Sequence, residues 1–171
     1  MKVILYMATT ANGMIAKEDN NTSFVSSIEW KSFQKTISKI GNIVIGRRTY
    51  ELMKADNNFS DADKTKVIVV TTNSSFKIDK ANHFAVRSPK AALKLLKKYG
   101  FKEALIGGGG MLNASFMNGR LVNEIYLDIE PVAMGKGIKL FSDSNFTAKL
   151  KLVSTKKLSK NEIQLHYKVI K

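Results

Sequence analysis

The stretch Leu105-Ile106-Gly107-Gly108-Gly109-Gly110-Met111-Leu112 decides how this chain is read. An apolar run beginning at Ala104 enters four glycines, and a new apolar pattern (Met111, Leu112, Ala114, Phe116) leaves them. That order is strand, tight turn, helix. Glycine suits a turn that needs positive φ or close backbone approach. The helix that follows presents free N–H groups and the positive end of its dipole, which suit a pyrophosphate. Four glycines also make plain tight turns, and the run lacks the G-x-G-x-x-G spacing of a dinucleotide fingerprint.

Working outward, apolar runs alternate with helical patterns. Residues 2–9, Asn42 to Ile45, Lys66 to Thr71, His83 to Val86 and Glu103 to Ile106 read as strands. Their near-continuous Val, Ile and Leu content predicts strands buried on both faces. Ile28, Trp30, Phe33, Ile37 and Ile40 recur at helical spacing behind a cap at Ser26 or Ser27. Tyr50, Leu52 and Met53 begin a short helix, and Asp56 to Lys64 reads as a polar loop. Ser88-Pro89 opens another helix with Ala92, Leu93, Leu95, Leu96 and Tyr99 inside, closed by Gly100. Residues 121–129 have strand period, and residues 147–157 and 161–170 predict a hairpin. The whole predicts one α/β domain over residues 1–171, with a mostly parallel sheet finished by antiparallel strands.

Composition narrows the function. The 171 residues hold no cysteine, which excludes a disulfide framework, a thiolate nucleophile and a cysteine metal site. Two distant histidines, His83 and His166, do not suggest a metal site either. No apolar run is long enough to span a membrane, and the N-terminus lacks the form of a secretory signal, so a cytoplasmic protein is expected. The net charge of +14 invites a polyanion. Yet 24 of the 28 basic residues are lysines spread along the chain, without the interleaved aromatics of single-strand binding, so nucleic acid is not the favoured partner.

In an open α/β sheet, ligands gather at the carboxyl ends of the strands. There this chain places Arg47, Arg48 and Arg87, three of its four arginines, with hydroxyls beside them and the glycine turn. Arginine holds phosphate with fixed geometry. The set describes a site for a large phosphorylated ligand, and a dinucleotide carrying an extra phosphate fits it best.

Taken together, five segments resemble the dihydrofolate reductase superfamily. They are the first strand with Asn12-Gly13-Met14-Ile15-Ala16; Ile45-Gly46-Arg47-Arg48-Thr49-Tyr50-Glu51; Lys66 to Thr72; Ile106 with its glycines; and Leu121-Val122-Asn123-Glu124 through Pro131, Gly135 and Gly137 to Leu140-Phe141. The last segment makes the likeness closest to stand-alone relatives of the reductase domain of the riboflavin-pathway deaminase–reductase. The resemblance implies a three-layer fold, an NADPH-dependent reductase and a homodimer. It implies that Ala8 and Ile15 flank the nicotinamide, and that Gly46, Arg47, Arg48 and Thr49 hold phosphates. It assigns Thr71, Thr72, Asn73 and Arg87 to the adenosine side, and Gly107, Gly108, Gly109, Gly110, Met111 and Leu112 to the pyrophosphate.

The resemblance also implies the candidate proton donor, Glu29: folate reductases carry an acid early on this helix, then an apolar residue and, four positions after the acid, a phenylalanine, and Glu29, Trp30 and Phe33 match that spacing. An acid there also stabilises a helix dipole with no further role. Residues 17–26 lack the proline–tryptophan element of folate reductases. The substrate stays open between a riboflavin-pathway ribosylaminopyrimidine, whose phosphate the positive charge would suit, and a pteridine. The rival reading is an inactive reductase-like scaffold that binds a polyanion such as nucleic acid.

Overall fold

The computed structural model describes residues 1–56 and 65–170; the polar loop expected at Asp56 to Lys64 falls, Asp56 apart, outside them. In chain order the elements are β1 (Lys2–Thr10), β2 (Met14–Ala16), α1 (Ser27–Ile40), β3 (Asn42–Gly46), α2 (Arg47–Ala55), β4 (Lys66–Val70) and β5 (His83–Val86). They continue as α3 (Pro89–Lys98), β6 (Glu103–Ile106), α4 (Gly110–Asn118), β7 (Glu124–Glu130), β8 (Ile138–Lys139), β9 (Lys149–Lys157) and β10 (Ile163–Ile170).

Eight strands form one sheet in the order β5-β4-β3-β6-β1-β7-β10-β9. The first six pair in parallel, and β10 turns antiparallel against β7 and β9. The period of two decides what each face buries. Val3, Leu5, Val44, Ile68, Ile106 and Ile125 point to one face, where Ala92 and Leu96 of α3 and Leu112 and Phe116 of α4 cover them. Ile43, Ile45, Val67 and Val69 point to the other, under Trp30, Phe33 and Ile37 of α1 and Tyr50 and Met53 of α2. Each large side chain buried this fully contributes about 1.5–3 kcal/mol. This is the mostly parallel, two-faced sheet that the sequence predicted, with its antiparallel end.

The local signals act as expected at two helix starts. Ser26 Oγ accepts from the Glu29 N–H, and Ser88 Oγ accepts from the Ala91 N–H with Pro89 at the first turn. Two placements differ from expectation. Ile28 is 44% exposed, because α1 packs through Trp30, Phe33 and Ile37 and turns Ile28 outward. Tyr99 is likewise exposed, lying against Phe84 and the Lys66 ammonium at the sheet margin.

The pair β2–β8 was not foreseen. It clips residues 10–16 to residues 131–140. The Asn12 side chain donates to the Met134 carbonyl at 2.7 Å and accepts from the Met134 N–H at 3.1 Å. A Cβ on Gly137 would stand 2.6 Å from the Ala16 carbonyl oxygen, so glycine is needed for that approach.

Candidate active site

Two of the four helices among the described residues lack the serine caps described above. α2 starts at Gly46 and α4 at Gly109, and neither cap residue offers a side chain to the open N–H groups. These two starts lie at the carboxyl ends of the neighbouring strands β3 and β6. The Gly46 N–H donates to the Gly108 carbonyl at 2.8 Å. From there α2 leaves toward one face of the sheet and α4 toward the other, so a crevice opens between the strand ends. Unsatisfied N–H groups and two positive dipole ends converge on it, an arrangement that can hold a pyrophosphate.

The four glycines divide by what surrounds them. A Cβ on Gly107 would come 2.7 Å from Ile43 Cδ1, and one on Gly110 would come 2.5 Å from the Lys139 carbonyl oxygen. Gly108 has φ of +88° and lies under the Met7 sulfur. Packing and backbone geometry account for those three. The Gly108–Gly109 peptide is cis. At Gly109 and Gly46 a Cβ meets nothing nearer than 3.5 and 3.8 Å, respectively, so these two leave a cradle that a side chain would partly fill.

Beside the crevice lies a cleft of about 760 Å³. Ala8 from the end of β1, Ile15 from β2, Thr49 from α2 and Gly107 line it, as do Glu29, Trp30 and Phe33 of α1. Leu52 and Met53 of α2 and residues 19–23 complete much of the wall. Trp30 and Phe33 stand 5.8 Å apart and make an aromatic wall suited to a flat ring.

Glu29 is 3% exposed, and its carboxyl has no hydrogen-bond or ion-pair partner among the described residues. Burial pushes its pKa up to about 8, and the negative charges of Asp128, Glu130 and Glu162 push the same way. A carboxyl in this state is mostly protonated at neutral pH, and can donate a proton or a hydrogen bond into the cleft.

The sheet beneath Glu29 is polar. Tyr6 donates to Asp128 Oδ2 at 2.6 Å, and Gln164 Nε2 donates to Asp128 Oδ1 at 2.8 Å. The Tyr6 hydroxyl also pairs with Ser32 of α1 at 2.9 Å, which ties the helix carrying Glu29 to β1. Glu130 Oε1 accepts from the Ser26 N–H at 2.8 Å and fixes the start of the same helix. Burial raises the pKa of both Asp128 and Glu130. The sequence reading passed over Tyr6, Asp128 and Glu130. Their signal was alternation: Tyr126, Asp128 and Glu130 share one face of a strand that lies next to buried β1.

The other expected residues are dispersed along the strand ends. Arg48 is exposed and makes no ion pair among the described residues, whereas Arg47 donates to Glu51 Oε1 at 2.9 Å. Arg87 is exposed past the end of β5. Thr71 Oγ1 accepts from the Asn73 N–H, and Asn73 Oδ1 accepts from the Ser75 N–H, so both side chains shape the turn after β4; Thr72 beside them is exposed. Met111 is 79% exposed, while Leu112 sits in the core and can offer the crevice only backbone. His83 lies apart from the cleft, with Tyr50 Oη 3.1 Å from its Nδ1.

The RibD C-terminal domain family matches residues 1–164 of this chain. YwjB of Bacillus subtilis (strain 168), an uncharacterized protein, is 31% identical over 173 residues that cover 97% of each chain. A pyrimidine reductase-like protein from Corynebacterium diphtheriae superposes with a TM-score of 0.79 at 14% identity, covering 99% of this chain and 92% of that one. Dihydrofolate reductase from Enterococcus faecalis, solved with NADP(H), gives 0.73 at 18% identity, covering 98% and 96%. These structures speak for the fold, which is dihydrofolate reductase-like.

Proposed function

The chain belongs to the RibD C-terminal domain family, and we propose that it works as an NADPH-dependent reductase of a small heterocyclic substrate. The reaction adds hydride to the carbon of a ring C=N or C=O and a proton to the nitrogen or oxygen, and NADPH leaves as NADP⁺. One observation carries this reading: two helix starts without side-chain caps, joined by the Gly46–Gly108 hydrogen bond, open beside a cleft that holds a buried carboxyl with no partner among the described residues.

The N–H groups of α2 and α4 would hold the pyrophosphate, and Gly46 and Gly109 leave room for it. Arg48, which has no internal partner among the described residues, is the first candidate for the extra phosphate that distinguishes NADPH; Arg47 would have to leave Glu51. Ala8 and Ile15 would position the nicotinamide against the cleft. When bound, the cofactor supplies the hydride. Glu29 holds the proton, and Trp30 and Phe33 orient the ring and exclude water. We place the protein in the cytoplasm and pair it as a homodimer through β9, an edge strand that exposes Leu150, Leu152 and Val153.

Calorimetric titration with NADPH and NADH tests the cofactor. NADPH is expected to bind at least about tenfold more tightly than NADH, with Arg48→Ala removing most of the difference. Absence of binding by both at millimolar concentration refutes the proposal. A steep log-linear loss of nucleic-acid affinity with salt would then favour the polyanion reading.

A further inference from the structure

Two neighbouring rungs between β7 and β10 are built differently. At the first, Asp128 faces Gln164, whose amide donates to the acid at 2.8 Å. The antiparallel register, continued past Ile129 and Ile163, sets Glu130 against Glu162 on the same face of the sheet. Here an acid faces an acid. Both are buried, and like charges directly opposite each other destabilise a sheet. Glu162 Oε2 is buried and accepts from no donor among the described residues. A proton held between the two carboxyls would satisfy it.

This rung also holds the start of α1. Glu130 Oε1 accepts from the Ser26 N–H at 2.8 Å. The Ser26 hydroxyl accepts from the Glu29 N–H at 3.0 Å and supports the Glu162 carboxylate. Ser26 adjoins Val25 and stands three residues before Glu29, and both of those line the cleft. Glu162 is itself fixed at the hairpin end, where its carbonyl accepts from the Leu158 N–H at 2.9 Å.

We propose that Glu130 and Glu162 share one proton and form a pH-sensitive latch, which fastens the start of α1, and with it one wall of the cleft, to the β9–β10 hairpin. The latch works in the same way whatever the cleft binds. With the proton in place, Glu130 plays the part that Gln164 plays one rung away: it donates across the sheet, and it still accepts from Ser26. Burial and the facing Glu162 push the Glu130 carboxyl above the ordinary carboxylate range, whereas the Ser26 and Ser159 hydroxyls hold Glu162 below it. The contribution of Glu130 is whole below its ordinary value of 4.5 and is lost as pH rises through its folded value. That of Glu162 is whole above 4.5 and is lost as pH falls. The latch is closed between these limits and opens on the alkaline side, where two carboxylates repel. Glu29 on α1 and Asp128 on β7 add to the repulsion. Thr10 of β1 faces Glu130 and does not titrate, and Lys156 of β9 faces Gln164 and offsets charge at Asp128.

The test uses carbon-13 NMR of the glutamate carboxyls, together with hydrogen exchange of the Trp30 N–H, which donates to the Ser26 carbonyl at 3.0 Å. All proteins carry Glu29→Gln, so that ionisation of Glu29 does not enter. Glu130 and Glu162 are expected to titrate in two steps about one pH unit or more apart. Adding Glu162→Gln is expected to lower the Glu130 titration by about one pH unit or more, because an amide then donates to it. Between pH 5 and pH 8, exchange at Trp30, corrected for its intrinsic pH dependence, should quicken about fivefold with the acid pair and stay within about twofold in Glu162→Gln. Glu130→Gln, whose amide can donate to Glu162 and accept from Ser26, is the second variant and should also abolish the rise. A Glu130 titration unmoved by Glu162→Gln overturns the shared proton. An alkaline rise in exchange that persists in both variants, or is missing with the acid pair intact, overturns the latch.

Discussion

Replacing Glu29 with glutamine tests whether the buried carboxyl is held protonated. Each tenfold change in an ionisation constant is worth about 1.4 kcal/mol. A rise from 4.5 to about 8 therefore makes ionisation of Glu29 cost about 5 kcal/mol more in the folded chain than in the unfolded one. The folded state binds the extra proton between those two values. Its contribution to stability is complete below pH 4.5 and is lost as pH climbs through about 8. A glutamine at this position cannot ionise and removes this dependence, while Asp128 and Glu130 titrate in both proteins. Between pH 5 and pH 9 the parent is expected to lose about 4 kcal/mol relative to Glu29→Gln. Urea unfolding at pH 5, 7 and 9, followed by the fluorescence of Trp30, the chain's single tryptophan, measures it. Parallel pH profiles, with a difference constant to within about 1 kcal/mol, would refute the reasoning.

Other outcomes follow from the same geometry. Tyr6→Phe removes the donor to Asp128 and the tie to Ser32, and should cost about 2 kcal/mol in urea unfolding at pH 7; an unchanged midpoint would show that Asp128 is satisfied without it. Gly110→Ala drives a methyl toward the Lys139 carbonyl and should destabilise by about 1–3 kcal/mol in thermal unfolding. Gly46→Ala meets only ordinary contacts; its melting temperature should hold while NADPH affinity falls about tenfold by calorimetry. The reverse pattern for that pair of glycines would count against the cradle. Glu51→Gln frees Arg47 and should tighten NADPH about two- to fivefold; a weaker complex would mean that the ion pair positions Arg47 for the phosphate.

Much of the fold was legible because its strands are buried on both faces and its helices are amphipathic. Val67, Ile68 and Val69 are all buried, and such a run has few alternatives to a central strand. Ser26 and Ser88 announced their helices because a cap is local chemistry. The pair β2–β8 was hidden because two or three residues carry no period, and its partners lie more than a hundred positions apart. The exposure of Ile28 was hidden because helical spacing gives a stripe but not its edge. At the site, Glu29 could be read as a candidate because Glu29, Trp30 and Phe33 match the spacing in folate reductases. Its surroundings could not: Asp128 and Glu130 look like the solvent side of an ordinary strand until β7 is known to lie against β1. The glycines were legible as a turn, but which of them serve packing depends on Ile43, Met7 and Lys139, contributed from elsewhere in the chain.

The position of β1 in the sheet has a consequence for how the protein is made. Among the strands of this sheet β1 leaves the ribosome first, yet its neighbours are β6, at residues 103–106, and β7, at residues 124–130. β3, β4 and β5 can pair with one another as they emerge. β1 has to wait, a Val-Ile-Leu-Tyr segment with both edges open, until most of the chain has been synthesised. Closing so long a loop is slow relative to local pairing. The earliest-made strand of the sheet therefore waits longer for its neighbours than any other, and it stays open to mispairing until β6 arrives.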